Sequence, residues 1–320
     1  MTDTARATSI LPDNREHWLA LRAEDVTSTE SPALFDLSEY FTRFELWNIK
    51  AGRLAEDTFT MNERMRWGTL LEDAIAKGVA DEYGMDICRQ AAYKRLAEAR
   101  MGASYDFEIT DVPARCSDAR ILKLFDDHGA GNLEIKNVDK FIAKQAWSDD
   151  GLPNRIEIQV QHQMHVSGAP WTLVAGLAGG NELMLRIRER DEGVGAALEQ
   201  QIVAFWASIK AGDEPEPVYA KDGGTLAALY AHAAKGSPYT GEGDATLDAI
   251  CAEYKEAAES EKEAVARKDE ARARILHILK DHDSAVMQRF KISAGTVAEA
   301  EVKAYTRKAY RMMRITELKR

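Results

Sequence analysis

Cysteine is scarce in this chain: Cys88, Cys116 and Cys251 are the three it has, with no Cys-x-x-Cys among them. That odd, scattered set excludes a disulfide framework and a zinc ribbon, and it makes a reducing cytoplasm the expected home. No apolar run approaches the ~18 residues that would suggest a membrane span. The opening "MTDTARATSI" has neither the basic start nor the apolar core of a secretory signal. Basic charge is also in deficit. A net charge of −11 argues against a protein that coats nucleic acid by bulk electrostatics. It leaves room for an enzyme with a local basic track and an acidic metal site. The deficit reverses over residues 301–320, where seven Lys and Arg face two Glu. Such a tail suits a nucleic-acid contact, a solvated helix face or an intersubunit salt bridge about equally.

What is present describes a soluble globular protein: 320 residues, 45% apolar and 30% charged, enough for one large domain or two modest ones. Asn14 is placed to cap a helix through Trp18 and Arg22. "FTRFELWNIKAG" reads as a second helix stopped by Gly52, and residues 62–83 as a third stopped by Gly84. Three β-prone runs follow, "DICRQAAYKRL", "MGASYDFEIT" and "GNLEIKNV". Gly179-Gly180-Asn181 marks a hairpin between two more strands. "NRIEIQVQHQMHVSG" fits both strand alternation and helical spacing. Helix is the better reading, because Gln159 and Gln163 then share one polar face and Asn154 can cap it. A long helix over 193–212 leads to "AGDEPEPVYAKDGG", which reads as a linker. A short helix around 225–235 and a very long one from about 247 to 278 come next. The expected division is a core over 1–212, a linker with a short helix over 213–246, and a helical extension over 247–320 with a small hairpin around "RFKIS" and "YRMMRI".

"LEIK" poses the functional question. Glu134 and Lys136 are two residues apart on a strand, so both project from one face. On an exposed face this is a plain ion pair. On a buried face each charge needs a partner. A magnesium-dependent nuclease needs hard oxygen ligands, with a cation near the attacking water or the scissile phosphate. Asp106 from a neighbouring strand, with Glu134 and Lys136, meets both needs. Glu72 in "RWGTLLEDA" offers a third carboxylate, and Glu108 is a rival to Asp106. His162 and His165, three apart with no Cys or other His near, read as surface residues rather than metal ligands.

"WGTLLE", "SYDFEI", "LEIK" and "QVQHQMHVSG", in this order, together with "WLALRAEDVTSTE", resemble the YqaJ-type viral recombinase nucleases. That group includes the phage lambda exonuclease and lies within the PD-(D/E)XK superfamily. The resemblance covers roughly residues 14–190. Here Tyr105 and Phe107 flank Asp106, where the family has proline and glycine. The resemblance implies an α/β (α+β) restriction-endonuclease-like core, a mixed central sheet with helices on both sides, carrying a long-helix C-terminal extension. It implies Asp106, Glu134, Glu72 and the Ile135 carbonyl as metal ligands, Lys136 as the cation at the water, and Gln159 beside that lysine. Arg22, Thr27, Ser28 and Thr29 correspond to a 5′-phosphate pocket. The implied activity is Mg2+-dependent 5′-to-3′ digestion of one strand of linear duplex DNA, with two metal ions and Mn2+ able to substitute. Implied partners are double-stranded DNA ends and a single-strand annealing protein, with a ring trimer as the assembly and a phage or prophage protein in a bacterial host as the setting. A structure-specific or restriction-type endonuclease, or a catalytically silent DNA-binding scaffold, are the alternatives on the same core.

Overall fold

A computed structural model describes residues 7–54, 63–147, 150–233, 238–241 and 244–299. The chain forms two compact units, Met1–Leu229 and Tyr230–Arg320. In the first, β1 (Thr8–Ile10), α1 (Arg15–Glu24), β2 (Val26–Thr27) and α2 (Arg43–Lys50) precede the long α3 (Glu63–Tyr83). Then come β3 (Asp86–Arg89), β4 (Tyr93–Leu96), β5 (Met101–Ala103), β6 (Phe107–Asp111) and α4 (Ala119–His128). The strand of interest, β7 (Gly131–Val138), leads into α5 (Lys140–Ala146) and α6 (Asn154–Ser167). The hairpin β8 (Trp171–Ala178) and β9 (Glu182–Glu189), then α7 (Glu192–Ala211) and α8 (Tyr219–Leu229), complete the unit.

Five strands make a mixed sheet in the order β3-β6-β7-β8-β9, with β7 and β8 the parallel pair. A parallel pair needs a crossover, and α5 with α6 supplies it. A smaller sheet, β1-β4-β5-β2, stands apart. The alternation of β7 sorts its side chains by face. Leu133 and Ile135 join Ile75 and Val79 of α3 and Ile121 of α4 in one apolar core. The opposite face of the sheet, through Val138, Val174 and Ala178, packs on Ile156, Val160 and Met164 of α6. This is the expected mixed sheet with helices on both sides.

Helix α6 is wedged between two cores. Val166 and Ile158 belong to a third cluster, with Leu46 and Trp47 of α2, Met101 of β5 and Phe205 of α7. Apolar residues on two sides explain why its sequence mimics strand alternation. They also correct one expectation: His162 is fully buried, bonded through Nε2 to the Gly102 carbonyl at 3.0 Å, and burial pushes its pKa down to about 3. His165 pairs with Glu199 of α7 at 2.9 Å. Neither lies on the surface. Asn154 does not cap the helix either. The cap position falls to Pro153, which offers no side-chain bond.

Tight packing at β5 gives a stability test. A Cβ added to Gly102 would sit 1.8 Å from the Tyr93 hydroxyl and 2.8 Å from Asp25 Oδ2. Tyr93 is fully buried and donates to that same carboxylate at 3.1 Å, so it has no room to retreat. Gly102→Ala should cost about 1–3 kcal/mol or more by overpacking. A thermal melt should show Tm falling by about 2–4 °C for each kcal/mol; an unchanged Tm contradicts this account of the strand.

Helix α8 begins at Tyr219, inside the stretch read as linker, because Asp222 is buried there. Its carboxylate accepts from the Thr42 hydroxyl at 2.5 Å and the Val218 amide at 2.6 Å. The second unit holds α9 (Ala245–Leu279), 35 residues long and capped by Asp244, and a hairpin of β10 (Ser284–Val286) with β11 (Lys291–Ser293). The strand at "RFKIS" thus pairs with an earlier segment. "YRMMRI" and the basic tail over 301–320 lie outside the described residues. Among the described residues no helix is long and apolar enough to cross a membrane.

Candidate active site

The register of β6 on β7 places the first cluster. Phe107 opposes Leu133 in an antiparallel pair, so Asp106, one residue before β6, comes opposite Glu134. Asp106 Oδ2 accepts the Ile135 amide at 2.7 Å. Glu134 is buried, 3% exposed. Oε1 accepts from Lys136 Nζ at 2.5 Å and from Gln159 Nε2 at 2.6 Å. Oε2 accepts from Gln163 Nε2 at 2.9 Å. The Glu-x-Lys pair therefore lies on the buried face, where α6 covers it, and Glu134 has the partners that a buried charge requires.

Gln163 carries weight that the sequence reading did not give it. Its amide nitrogen also donates to the Ser104 carbonyl at 2.9 Å, bridging β7 to the segment just before Asp106. The signal was there: Gln163 is one helical turn from Gln159 on the same face.

Electrostatics tie the cluster together. Burial holds the Asp106 pKa well above the usual 3.8, and the charges of Glu134 and Glu72 add to the effect against an opposing Lys136. Burial alone would lower Lys136, but the charges of Glu134 and Asp106 outweigh it and hold its pKa above 10.5. The lysine is therefore a cation at neutral pH. Glu72 acts on Asp106 by charge, while its carboxylate is held by Arg89 at 2.9 Å. Glu108 accepts from Gln90 at 2.8 Å and stands across from Cys88 and Asn132 in the ladder. The geometry brings Asp106, not Glu108, to Glu134. Among the described residues, no three of His, Cys, Asp and Glu converge into a ready metal cage. Asp106 and Glu134 are the facing carboxylates that could hold a metal, with open positions left over.

A second cluster gathers at α1 and β2. Arg22 lies over the Trp18 ring at 4.5 Å and donates to Thr29 Oγ1 at 3.3 Å, while Thr27 and Thr29 hydroxyls meet at 3.3 Å. Ser28 is buried, and its carbonyl takes the Ser31 hydroxyl. Beneath them a buried Lys50 pairs with Glu30 at 3.0 Å and donates to the Arg22 carbonyl at 2.9 Å. Asp25 and Glu24, the carboxylates that follow Arg22 in the chain, are both taken by Arg95. Arg22 is thus left facing hydroxyls. Ser104 joins the two clusters. Its hydroxyl accepts from Trp18 Nε1 at 3.2 Å, and its carbonyl accepts from Gln163.

Both clusters lie within residues 17–170, which match the family model of the YqaJ-like viral recombinase domain. Over that stretch the chain is similar to the YqaJ-like viral recombinase domain. The stretch takes in Arg22, Glu72, Asp106, Glu134, Lys136, Gln159 and Gln163. The chain is also 26% identical over 234 residues to the uncharacterized protein YqaJ of Bacillus subtilis (strain 168). The match covers 71% of this chain and 66% of that relative, just under two thirds of its length. Among solved structures, an alkaline exonuclease (LHK-Exo) from Laribacter hongkongensis aligns with TM-score 0.49 and 20% identity, over 66% of this chain and 100% of that one. LHK-Exo in complex with dAMP aligns with TM-score 0.48 and 20% identity, over 66% of this chain and 98% of that one.

Proposed function

We propose that this chain is a metal-dependent deoxyribonuclease that digests one strand of linear duplex DNA from a 5′-phosphorylated end and leaves a 3′ overhang. The observation that carries this reading is Lys136 bonded to Glu134 on a buried strand face, with Asp106 brought opposite by the β6–β7 register. Similarity to the YqaJ-like viral recombinase domain supports DNA as the substrate and recombination as the setting. A single-strand annealing protein is the partner such an overhang calls for, and a ring trimer of this chain would keep the enzyme on its duplex.

The donor set fits a hard divalent cation. Two carboxylates share one small space, and Asp106 is pushed up partly by the charge of Glu134, a repulsion that a cation relieves. Asp106 and Glu134, with Glu72 and the Ile135 carbonyl, would hold Mg2+, as one ion or two, and Mn2+ could take its place. Bound there, the metal would supply an activated water and offset the charge that builds on the phosphate. The protein's own groups do the rest. Lys136, protonated, orients the water and meets negative charge as it develops. Gln159 and Gln163 lock the Glu134 carboxylate, so its lone pairs keep one direction. Arg22, with the Thr27 and Thr29 hydroxyls, receives the terminal 5′-phosphate through charge-assisted bonds.

Polarity is the test of that second role. Wild type should prefer a 5′-phosphorylated over a 5′-hydroxyl duplex end, and Arg22→Ala should erase most of the preference. The loss should be on the order of 1.5–3 kcal/mol, roughly ten- to a hundredfold in end engagement. Both ends meet the same carboxylates and lysine, so the comparison is internally controlled. Equal degradation of both ends by wild type, or ready cutting of closed circular DNA, would replace this reading with the endonuclease alternative.

A further inference from the structure

Arg155 stands one helical turn before Gln159 and two before Gln163, so the three residues run along one face of α6. The two glutamines on that stripe both bond Glu134. The third position is Arg155, whose side chain is 21% exposed on that same helix face. Helix stability does not account for it. A cation in the first turn opposes the helix dipole, and the one acidic residue of that turn, Glu157, has its carboxylate taken by Arg188.

Its present partners are weak. Arg155 Nε lies 3.4 Å from Glu39 Oε2, and the guanidinium is 5.6 Å from the centre of the Tyr40 ring. The Glu39 side chain is 70% exposed, so the pair is screened by solvent and adds little to the fold. The Nε itself is buried and makes no hydrogen bond. A buried donor whose only nearby acceptor is a poorly aligned, solvent-exposed carboxylate is costly, and a better-aligned acceptor would relieve that cost. Guanidinium matches phosphate oxygens through two parallel bonds.

We propose that Arg155 is a substrate-binding residue of this site, taking the phosphate of the DNA strand presented to Lys136, while Glu39 and Tyr40 hold it poised in the free protein. This rests on the nuclease reading above and adds a contact outside the metal ligands. When DNA enters, phosphate displaces the Glu39 carboxylate from the guanidinium, and Glu39 returns to solvent.

The test uses the full chain and a short 5′-phosphorylated duplex. Affinity is read by fluorescence anisotropy in EDTA across a salt series, and cleavage is read in Mg2+. Arg155→Ala should lower kcat/KM roughly ten- to a hundredfold. It should also reduce the slope of log affinity against log salt by about one. Arg155→Lys should restore the slope but only part of the rate, since the ammonium keeps the charge and loses the fork. Glu39→Gln, which leaves Arg155 in place, should bind the duplex about two- to fivefold more tightly. If wild type cuts DNA while Arg155→Ala keeps its rate within about twofold and its salt slope unchanged, this proposal alone is overturned. If wild type neither binds nor cuts DNA, the nuclease reading falls and this one with it. Should Arg155→Ala fail to fold, Glu39→Gln decides, and an affinity equal to wild type overturns the proposal.

Discussion

Lys136→Ala should lower turnover on DNA by two or more orders of magnitude while affinity for DNA survives. Each tenfold loss is about 1.4 kcal/mol of transition-state stabilisation, so the lysine is being asked to supply roughly 3 kcal/mol. The geometry supports an effect on chemistry rather than folding. Lys136 is 22% exposed at its side chain, so it reaches the site's open edge, whereas Glu134 is 4% exposed. With Lys136 removed, Glu134 still has Gln159 on one oxygen and Gln163 on the other. The carboxylate stays satisfied, and the strand stays in place. Steady-state kinetics beside a thermal melt would check this. A Lys136→Ala protein with wild-type kcat removes the catalytic assignment of the Glu-x-Lys pair.

Asp106→Asn should abolish metal-dependent cleavage and, at the same time, stabilise the metal-free protein at neutral pH. Burial, with the nearby charges of Glu134 and Glu72, raises the Asp106 pKa above its unfolded value of 3.8. An acid raised in this way binds its proton more tightly when folded. Stability is then full below 3.8 and declines as pH rises through the folded pKa. Asparagine mimics the protonated form and can still accept the Ile135 amide, so it escapes that decline. The Tm advantage of Asp106→Asn should therefore be largest at neutral pH and vanish toward pH 3. A divalent cation should raise the Tm of wild type and leave Asp106→Asn unmoved. Ca2+ should support DNA binding without cutting. Glu134→Ala should be equally inactive and also less stable, because it strands two buried amides and a lysine. Glu108→Ala should stay active, as its carboxylate is held by Gln90. An inactive Glu108→Ala beside an active Asp106→Asn would show that the wrong carboxylate had been placed at the metal.

Much of this site was legible in the residues because it depends on short periods. The two-residue repeat set Glu134 and Lys136 on one face, and the four-residue repeat paired Gln159 with Gln163. What stayed hidden depends on contacts distant in sequence. Nothing local says that α6 is covered on both sides, so His162 read as a surface residue when it is fully buried against Gly102. Asp25 lies only three residues from Arg22, yet Tyr93 and Arg95, about 70 residues on, take its carboxylate. Helices α4 and α5 went unread for a different reason. They are only 10 and 7 residues long, and α5 exposes Phe141 and Ile142, which blurs any apolar stripe. At "RFKIS" the strand pairs with Ser284–Val286, a partner the sequence did not suggest because short strands carry little register information.

The central claim is that one carboxylate–lysine cluster, Asp106 just before β6 with Glu134 and Lys136 of β7, hydrolyses DNA from its ends with a divalent metal. It is tested most directly by release of nucleotides from linear and from closed circular duplex, with Mg2+ and then with EDTA, for wild type and Glu134→Ala. The account predicts release from the linear duplex alone, only with Mg2+, and only by wild type. Release in EDTA, or release by Glu134→Ala at the wild-type rate, would contradict it.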